Sequence, residues 1–372
     1  MTLDLTLPPG FGLGWLEASG PYSDIVLSTR VRLARNLQGH AFGPRHRHRE
    51  AERVFEQVRT AVSRAASLEG GAMLDLAALP ALSRRVLLER HLISREMAGE
   101  NGEAPPRGAA LFMDAHERVG MMVNEEDHLR LQALLSGLRL EEAFRLVDRL
   151  DEELGAHLPY AYHHEFGYLT SCPTNVGTGL RASIFVHLPG LVLTKEIGRV
   201  LQGIGQVGLT FRGLYGEGSE VIGNFFQISN QTTLGKSEED LIEHLQKIVG
   251  RVIQYEMDAR SVLMRDAPTV IEDKIWRAYG LLRYARSLTF EEVMNLLSGV
   301  RLGVSMKLLP GLSVYTLNKI MIYAQSAHLE QAAGRTLTET ESDLHRAAYV
   351  RRILAAEGDV PTSEGDSAAE GA

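Results

Sequence analysis

The sequence predicts an α+β chain, a mixed strand-and-helix region followed by a purely helical one. Three observations carry this. Residues 23–35 and the alternating Tyr160, Tyr162, His164, Phe166 and Tyr168 have the period of strands with one buried face. Between them, residues 49–68 and 138–154 carry helical apolar stripes. From about residue 260 onward only helical patterns occur.

The bulk numbers narrow the function classes. With 372 residues, 44% hydrophobic and 23% charged, the chain has the composition of a soluble globular protein and the length for two domains. The net charge is −8, and five of those charges lie in the tail 357–372, which has no base. A general nucleic-acid binder needs a basic face, so no direct nucleic-acid partner is expected. A single cysteine forbids an internal disulfide and suits a reducing cytosol, so a cytoplasmic location is expected. No basic segment followed by an apolar run opens the chain, and no apolar stretch is long enough to span a bilayer, so neither a signal peptide nor a membrane partner is expected.

In order, residues 1–22 are rich in Gly and Pro and read as an extended arm. On the strand 23–35, Arg30 and Arg32 are two residues apart and share a face. Such a pair fits a solvated edge strand, or a fork binding phosphate oxygens. His46 and His48 sit in an Arg-rich loop and read as surface groups. A second helix ends across Val86–Ile93 and carries His91, and strands flank a turn at 116–118 within 109–123. The acidic run Asn124-Glu-Glu-Asp-His-Leu-Arg130 fits a solvated helix start, or carboxylates held for a cation.

Residues 168–183 hold the only cysteine, Cys172, among Ser, Pro, Thr and Asn. That is a poor setting for a core thiol and points to a functional one. Pro173, Gly177 and Gly179 make a turn able to expose backbone donors to an anion. After a helix over 189–201, Gly203-Ile-Gly-Gln-Val-Gly208 fits GxGxxG, but it follows a helix rather than a strand. A β-turn into residues 207–211 is predicted instead. Arg212-Gly-Leu-Tyr-Gly-Glu-Gly-Ser-Glu220 reads as a mobile ligand loop, and 224–231 as a strand. Leu234-Gly-Lys-Ser237 lacks the first P-loop glycine, so Ser237 with Asp240 is predicted to cap a helix over 238–257. Helices follow at 271–286, 289–297, 312–327 and 338–356, then an acidic, disordered tail.

Cys-Pro-Thr-Asn-Val-Gly-Thr-Gly-Leu-Arg resembles the active-site cysteine segment of the phosphagen (guanidino) kinases. Ser28-Thr-Arg-Val-Arg32 and Asn124–Arg130 are similar to further segments of that family, and the chain looks nearest its protein-arginine kinases of McsB type. The resemblance spans roughly residues 23–257 and implies an antiparallel sheet flanked by helices. It divides the chain into an arm 1–22, a catalytic domain 23–257, a helical domain 258–356 and a tail 357–372. It implies ATP-dependent phosphorylation of arginine on proteins, with Mg²⁺ bound through the nucleotide phosphates and no metal held by the protein itself. Cys172, Glu126 and Glu217 match the catalytic positions. Ser28, Thr29, Arg30, Val31, Arg32, His91, Arg130, Arg181, Ala182, Ser183, Ile184, Phe185, Arg212, Gly213, Leu214, Tyr215, Gly216 and Glu217 match nucleotide-binding ones. A homodimer, an activator protein and a Clp protease acting on the marked proteins in a stress response are implied as well.

Two alternatives compete. A small-molecule arginine kinase is disfavoured because only 22 residues precede the catalytic region, where such enzymes carry a helical domain. A non-catalytic phosphoarginine-binding module is disfavoured by the presence of Cys172, Glu126 and Glu217 together. One departure stands out. An allosteric Arg-Asp-x-x-Arg-Ala motif of the family aligns with Ser342-Asp-Leu-His-Arg-Ala347, so Asp343 and Arg346 remain but the first arginine is missing. Weakened or absent activation by phosphoarginine is expected.

Overall fold

The computed structural model describes residues 13–42, 48–99, 104–105, 107–213 and 222–357. Glu217, with Leu214, Tyr215 and Gly216, lies outside them, as do His46, residues 1–12 of the arm and residues 358–372 of the tail. In chain order the elements are β1 (Val26–Arg35), α1 (His48–Val62), β2 (Ala72–Asp75), α2 (Ala81–Glu89), α3 (Arg95–Ala98), β3 (Ala110–Met113), β4 (Val119–Val123), β5 (Leu129–Ser136) and α4 (Leu140–Gly155). The hairpin β6 (Tyr162–His163) and β7 (Gly167–Tyr168) follows, then β8 (Leu180–His187), α5 (Pro189–Leu193), α6 (Ile197–Gln206), β9 (Leu209–Arg212), β10 (Phe225–Asn230) and α7 (Glu238–Asp266). The remainder is helical: α8 (Pro268–Tyr284), α9 (Phe290–Ser305), α10 (Val314–Tyr323), α11 (Ser326–Ala333) and α12 (Glu339–Ala356).

Eight strands form one antiparallel sheet in the order β2-β3-β4-β5-β1-β8-β10-β9. Alternation along each strand gives the sheet two unlike faces. Val31, Leu33, Leu131, Ala133, Ala182, Ile184 and Ile228 point to one face and form a core with α1, α4 and α7. Each of the buried Val, Leu and Ile side chains contributes roughly 1.5–3 kcal/mol relative to exposure. On the other face, Leu27, Leu134, Phe185 and Phe225 join the core of the C-terminal helices, together with Trp15 and Leu16 of the arm. The arm is therefore not merely extended: residues 14–16 form a 3₁₀ turn buried in this second core.

Four further sequence expectations need correction. The tyrosine-rich run is a two-stranded hairpin, not one strand, because the chain reverses between β6 and β7 with Gly167 at φ +73°. Tyr162 and Phe166 project into solvent. Residues 203–206 belong to α6 rather than to a β-turn, and the helix predicted over 189–201 is broken at Lys195, whose φ is +63°. α7 continues to Asp266, so position 257 falls inside a helix. Ser237 and Asp240 do form a reciprocal capping box at its start.

Candidate active site

Sheet register builds the site. On β1, Arg30 lies opposite Leu134 of β5 and Ser183 of β8, and Arg32 opposite Gln132 and Arg181. Arg130 of β5 is two positions on, opposite Ala34. Four guanidinium groups thus share the face turned away from α1, α4 and α7. Arg212, on β9, pairs with Gln227 toward the far edge of the same face. Thr29, Val31, Ala182 and Ile184 alternate to the opposite face. Thr29 Oγ1 donates to Gly137 O, and the other three side chains are core. Of the positions the resemblance supplied on these strands, those four reach the arginine face only through backbone.

The electrostatics of this face favour an anion. Arg30 donates to Gln132 Oε1 at 2.6 Å, but its Nε and that of Arg32 are buried without a hydrogen-bond partner among the described residues. Burial, then Arg130, pushes the pKa of Arg30 down to about 10. Burial and the guanidinium groups of Arg30, Arg130 and Arg181 hold Arg32 well below its ordinary value. Proteins seldom bury such charge uncompensated. The planar guanidinium groups are suited to bind the oxygens of a phosphate or carboxylate ligand. His91, left-handed at φ +61°, lies beside Arg30 and is pushed down to about 3 by burial and that arginine, so it is neutral at working pH.

The acidic run is a turn between β4 and β5, not a helix start, and Asn124 opens it at φ +57°. Glu125 is buried under Arg130 and accepts from its Nη1 at 2.6 Å. Glu126 is half exposed, with Oε2 3.8 Å from Arg130 Nη2. Burial, then Asp127, raises the pKa of Glu126. Asp127 Oδ1 accepts from Asn36 Nδ2 at 2.6 Å and from Ser171 N at 2.7 Å, and Ser171 Oγ donates to Glu126 O at 2.8 Å. The carboxylate turn and the cysteine loop are therefore stitched together.

Cys172 is half-buried, with Sγ 3.0 Å from Thr174 Oγ1. Gly177 (φ +111°) and Gly179 (φ +66°) do adopt backbone that a side chain would strain, and a Cβ there would collide with Thr233 O and Ala34 O. The turn does not present a row of free donors, however. The N–H groups of Asn175, Val176, Gly177 and Thr178 all donate within the fold. Beneath the loop, Arg35 binds Asp151 through Nε and Nη2, donates to Thr178 O at 2.8 Å and lies 3.5 Å from the centre of the Tyr168 ring.

Asn36, Arg35 and Asp151 escaped the sequence reading, and Glu125 and Asp127 entered it only as members of the acidic run. The pairs Asn36–Asp127 and Arg35–Asp151 are 91 and 116 residues apart, which no local pattern encodes, whereas Glu125 meets Arg130 five residues on.

Comparisons with known proteins show the family and the fold. The family model for the ATP:guanido phosphotransferase C-terminal catalytic domain matches residues 53–259, more than half the chain. The protein-arginine kinase McsB C-terminal domain matches residues 268–365. The protein-arginine kinase of Pelotomaculum thermopropionicum is 46% identical over 344 residues, covering 92% of this chain and 95% of the relative. That of Moorella thermoacetica is 47% identical, covering 92% and 97%. The chain belongs to the protein-arginine kinase family. Lombricine kinase shares the kinase's fold with a TM-score of 0.57 at 24% identity, covering 68% of this chain and 72% of that one. The substrate-free duplicated taurocyamine kinase from Schistosoma mansoni gives 0.57 at 20% identity, covering 92% and 48%. At such identities the likeness speaks for the fold alone. Among the described residues, no helix of the kinase is long and apolar enough to cross a membrane.

Proposed function

We propose that the kinase transfers the γ-phosphate of ATP to arginine side chains of proteins, with the triphosphate on Arg30, Arg32, Arg130, Arg181 and Arg212. The observation that carries this assignment is that Arg30 and Arg32, each with a buried Nε lacking a hydrogen-bond partner among the described residues, share one face with Arg130 and Arg181 beside a carboxylate turn and a thiol. A polyanion and a guanidinium bound side by side satisfy both halves. Mg²⁺ carried on the triphosphate would bridge its oxygens and neutralise part of their charge. Among the described residues, no group of three or more His, Cys, Asp or Glu is arranged to hold a metal on the protein.

The substrate sets the chemical problem. Arginine has a pKa of roughly 12.5–13.8, so only about 10⁻⁶ or less is neutral at pH 7. Proton loss must accompany N–P bond formation. Glu126, with Glu217 as its counterpart, takes that proton and orients the guanidinium through charge-assisted hydrogen bonds. The raised pKa of Glu126 makes it a better base than an ordinary carboxylate. Cys172 sits one residue beyond Ser171, which is bonded to Glu126, and as a thiolate it would face the reacting nitrogen with negative charge. Holding the guanidinium in line with the γ-phosphate supplies roughly 7–11 kcal/mol of barrier reduction. Arginines aimed at the transferring phosphoryl group are worth about 10³–10⁵ in rate.

The regions 23–257 and 258–356 are read as catalytic and helical domains. A cytoplasmic homodimer that marks proteins for a Clp protease, with an activator protein, completes the proposal. In the helical region Arg346 spends its donors inward, on Ala324 O, Leu288 O and Asp343, which supports the loss of phosphoarginine activation.

The test is ATP-dependent labelling of an arginine-rich protein by wild type and Cys172→Ala, with the product treated with acid. Acid-labile label lost in the variant is expected, because a P–N bond hydrolyses in acid. Acid-stable label would overturn the reaction. Turnover of free arginine without labelled protein would make the kinase a small-molecule enzyme.

A further inference from the structure

Asn36, the first residue past β1, is 1% exposed, and each polar atom of its amide is committed within the fold. Oδ1 accepts from His128 N at 2.9 Å. Nδ2 donates to Asp127 Oδ1 at 2.6 Å and to Leu169 O at 3.0 Å. The backbone oxygen of Asn36 accepts from Ala161 N at 2.7 Å, and Leu169 N donates to Ala161 O at 2.9 Å. The bonds through Ala161 and Leu169 thus close a circuit on the Asn36 amide.

The partners belong to two different segments. Asp127 and His128 directly follow Glu126 in the carboxylate turn. Leu169 stands three residues before Cys172, at the entry to the cysteine loop. One buried side chain therefore spans the segments that carry the carboxylate and the thiol.

The chemistry of the position calls for an amide. It needs an acceptor toward a peptide N–H and donors toward a carboxylate and a peptide oxygen, and among side chains this short only asparagine offers both. An aspartate there would set oxygen against the Asp127 carboxylate. An aliphatic residue would strand buried donors and acceptors on both segments. A substrate cannot take up these bonds, because the amide is buried and already spent. Asn36 acts only through the groups it holds. It also stands apart from the phosphate-binding arginines of its own strand: Arg32 and Arg30 lie four and six residues back, roughly 13 and 20 Å along the strand.

We propose that Asn36 is a positioning residue for phosphoryl transfer, its amide setting the carboxylate of Glu126 against the thiol of Cys172 without taking part in nucleotide binding. The inference rests on the reaction proposed above.

The test compares wild type, Asn36→Ala, Glu126→Gln and the double variant in acid-labile labelling of an arginine-rich protein, with ADP affinity measured by calorimetry. Asn36→Ala should lower kcat roughly tenfold to hundredfold, the scale of an ångström's misplacement, and leave ADP affinity and the KM for ATP unchanged. In the Glu126→Gln background the same substitution should cost far less, because one of the two groups it spaces is gone. Equal losses in both backgrounds, within about twofold, overturn the inference, since Asn36 would then be scaffold alone. ADP affinity lost in step with kcat overturns it as well. An unchanged kcat overturns it while labelling by wild type upholds the reaction. Wild type that gives no acid-labile label overturns both. Should Asn36→Ala fail to fold, Asn36→Asp decides: it keeps the size and the acceptor for His128 N but cannot donate to Asp127 or Leu169 O. The same split between kcat and ADP affinity is expected there, and wild-type turnover overturns the inference.

Discussion

Arg35 and Arg32 stand three residues apart on β1, and the strand's alternation sends them to opposite faces. Arg35 enters the helix-covered face and is satisfied by Asp151, Thr178 O and the Tyr168 ring. Arg32 enters the other face among three further guanidinium groups, with its Nε unpartnered among the described residues. The same side chain on the same strand is paired within the fold in one direction and left with an unpartnered Nε among the described residues in the other. What separates the roles is whether the fold itself supplies the counter-charge: Arg35 is fully buried among its partners, whereas Arg32 is half-buried on the open face.

That contrast can be broken by experiment. The largest effect expected is on transfer: Arg32→Met should lower kcat/KM for ATP by about 10³-fold or more. Its urea midpoint should stay level or rise, because an uncompensated charge has been removed. A variant that loses stability with its activity would show Arg32 to be part of the scaffold. Arg35→Met should do the reverse. Stranding Asp151 costs roughly 3–5 kcal/mol in urea unfolding, with turnover of the still-folded fraction largely kept. Full stability in that variant would erase the distinction.

Next is Glu126→Gln, expected to cost about 10²–10⁴ in kcat as the loss of a general base. Glu126 must be ionised to act, and burial raises its pKa. Activity should therefore fall with acid at a pH above the ordinary carboxylate range, and the variant's profile should lack that limb. A limb near an unperturbed carboxylate value in wild type would sink the assignment. Neutral His91 bears on stability instead. Its folded pKa is about 3 against an ordinary 6.5, so the unfolded chain takes up a proton first as pH falls below 6.5. Thermal melts from pH 7 to pH 4 should show a stability loss that shrinks in His91→Gln. The smallest effect is expected in the helical region. A phosphoarginine peptide should activate by far less than the roughly fivefold that marks ordinary allosteric coupling, given that Arg346 is bonded inward. Strong activation would require those bonds to open.

The arginine face was legible because its signal is local: Arg30 and Arg32 are two apart, and parity follows from any strand assignment. Arg130 and Arg181 joined them through family motifs whose side chains fall on the matching parity. The antiparallel sheet came with the resemblance rather than from the pattern of residues, and its strand order was legible in neither. Residues whose meaning depends on distant partners stayed hidden. Trp15 read as part of an arm until Asn318, over 300 residues away, was found holding the next carbonyl. The tyrosine run misled because a period of two persists through a tight hairpin, while the reversal at Gly167 depends on backbone conformation rather than hydropathy. In the helical region, caps at Thr289 and Thr338 made helix starts readable, since each side chain bonds its own helix three residues on.

The Asp127 carboxylate, shared between Asn36 and Ser171, has a consequence for noise. The thiol loop and the carboxylate turn lie 44 residues apart in sequence, and through separate supports each would fluctuate on its own. A common anchor makes their displacements correlated. The separation between Cys172 and Glu126 is then steadier than the position of either, and under the proposed reaction that spacing is what a flat, rigid guanidinium would gauge.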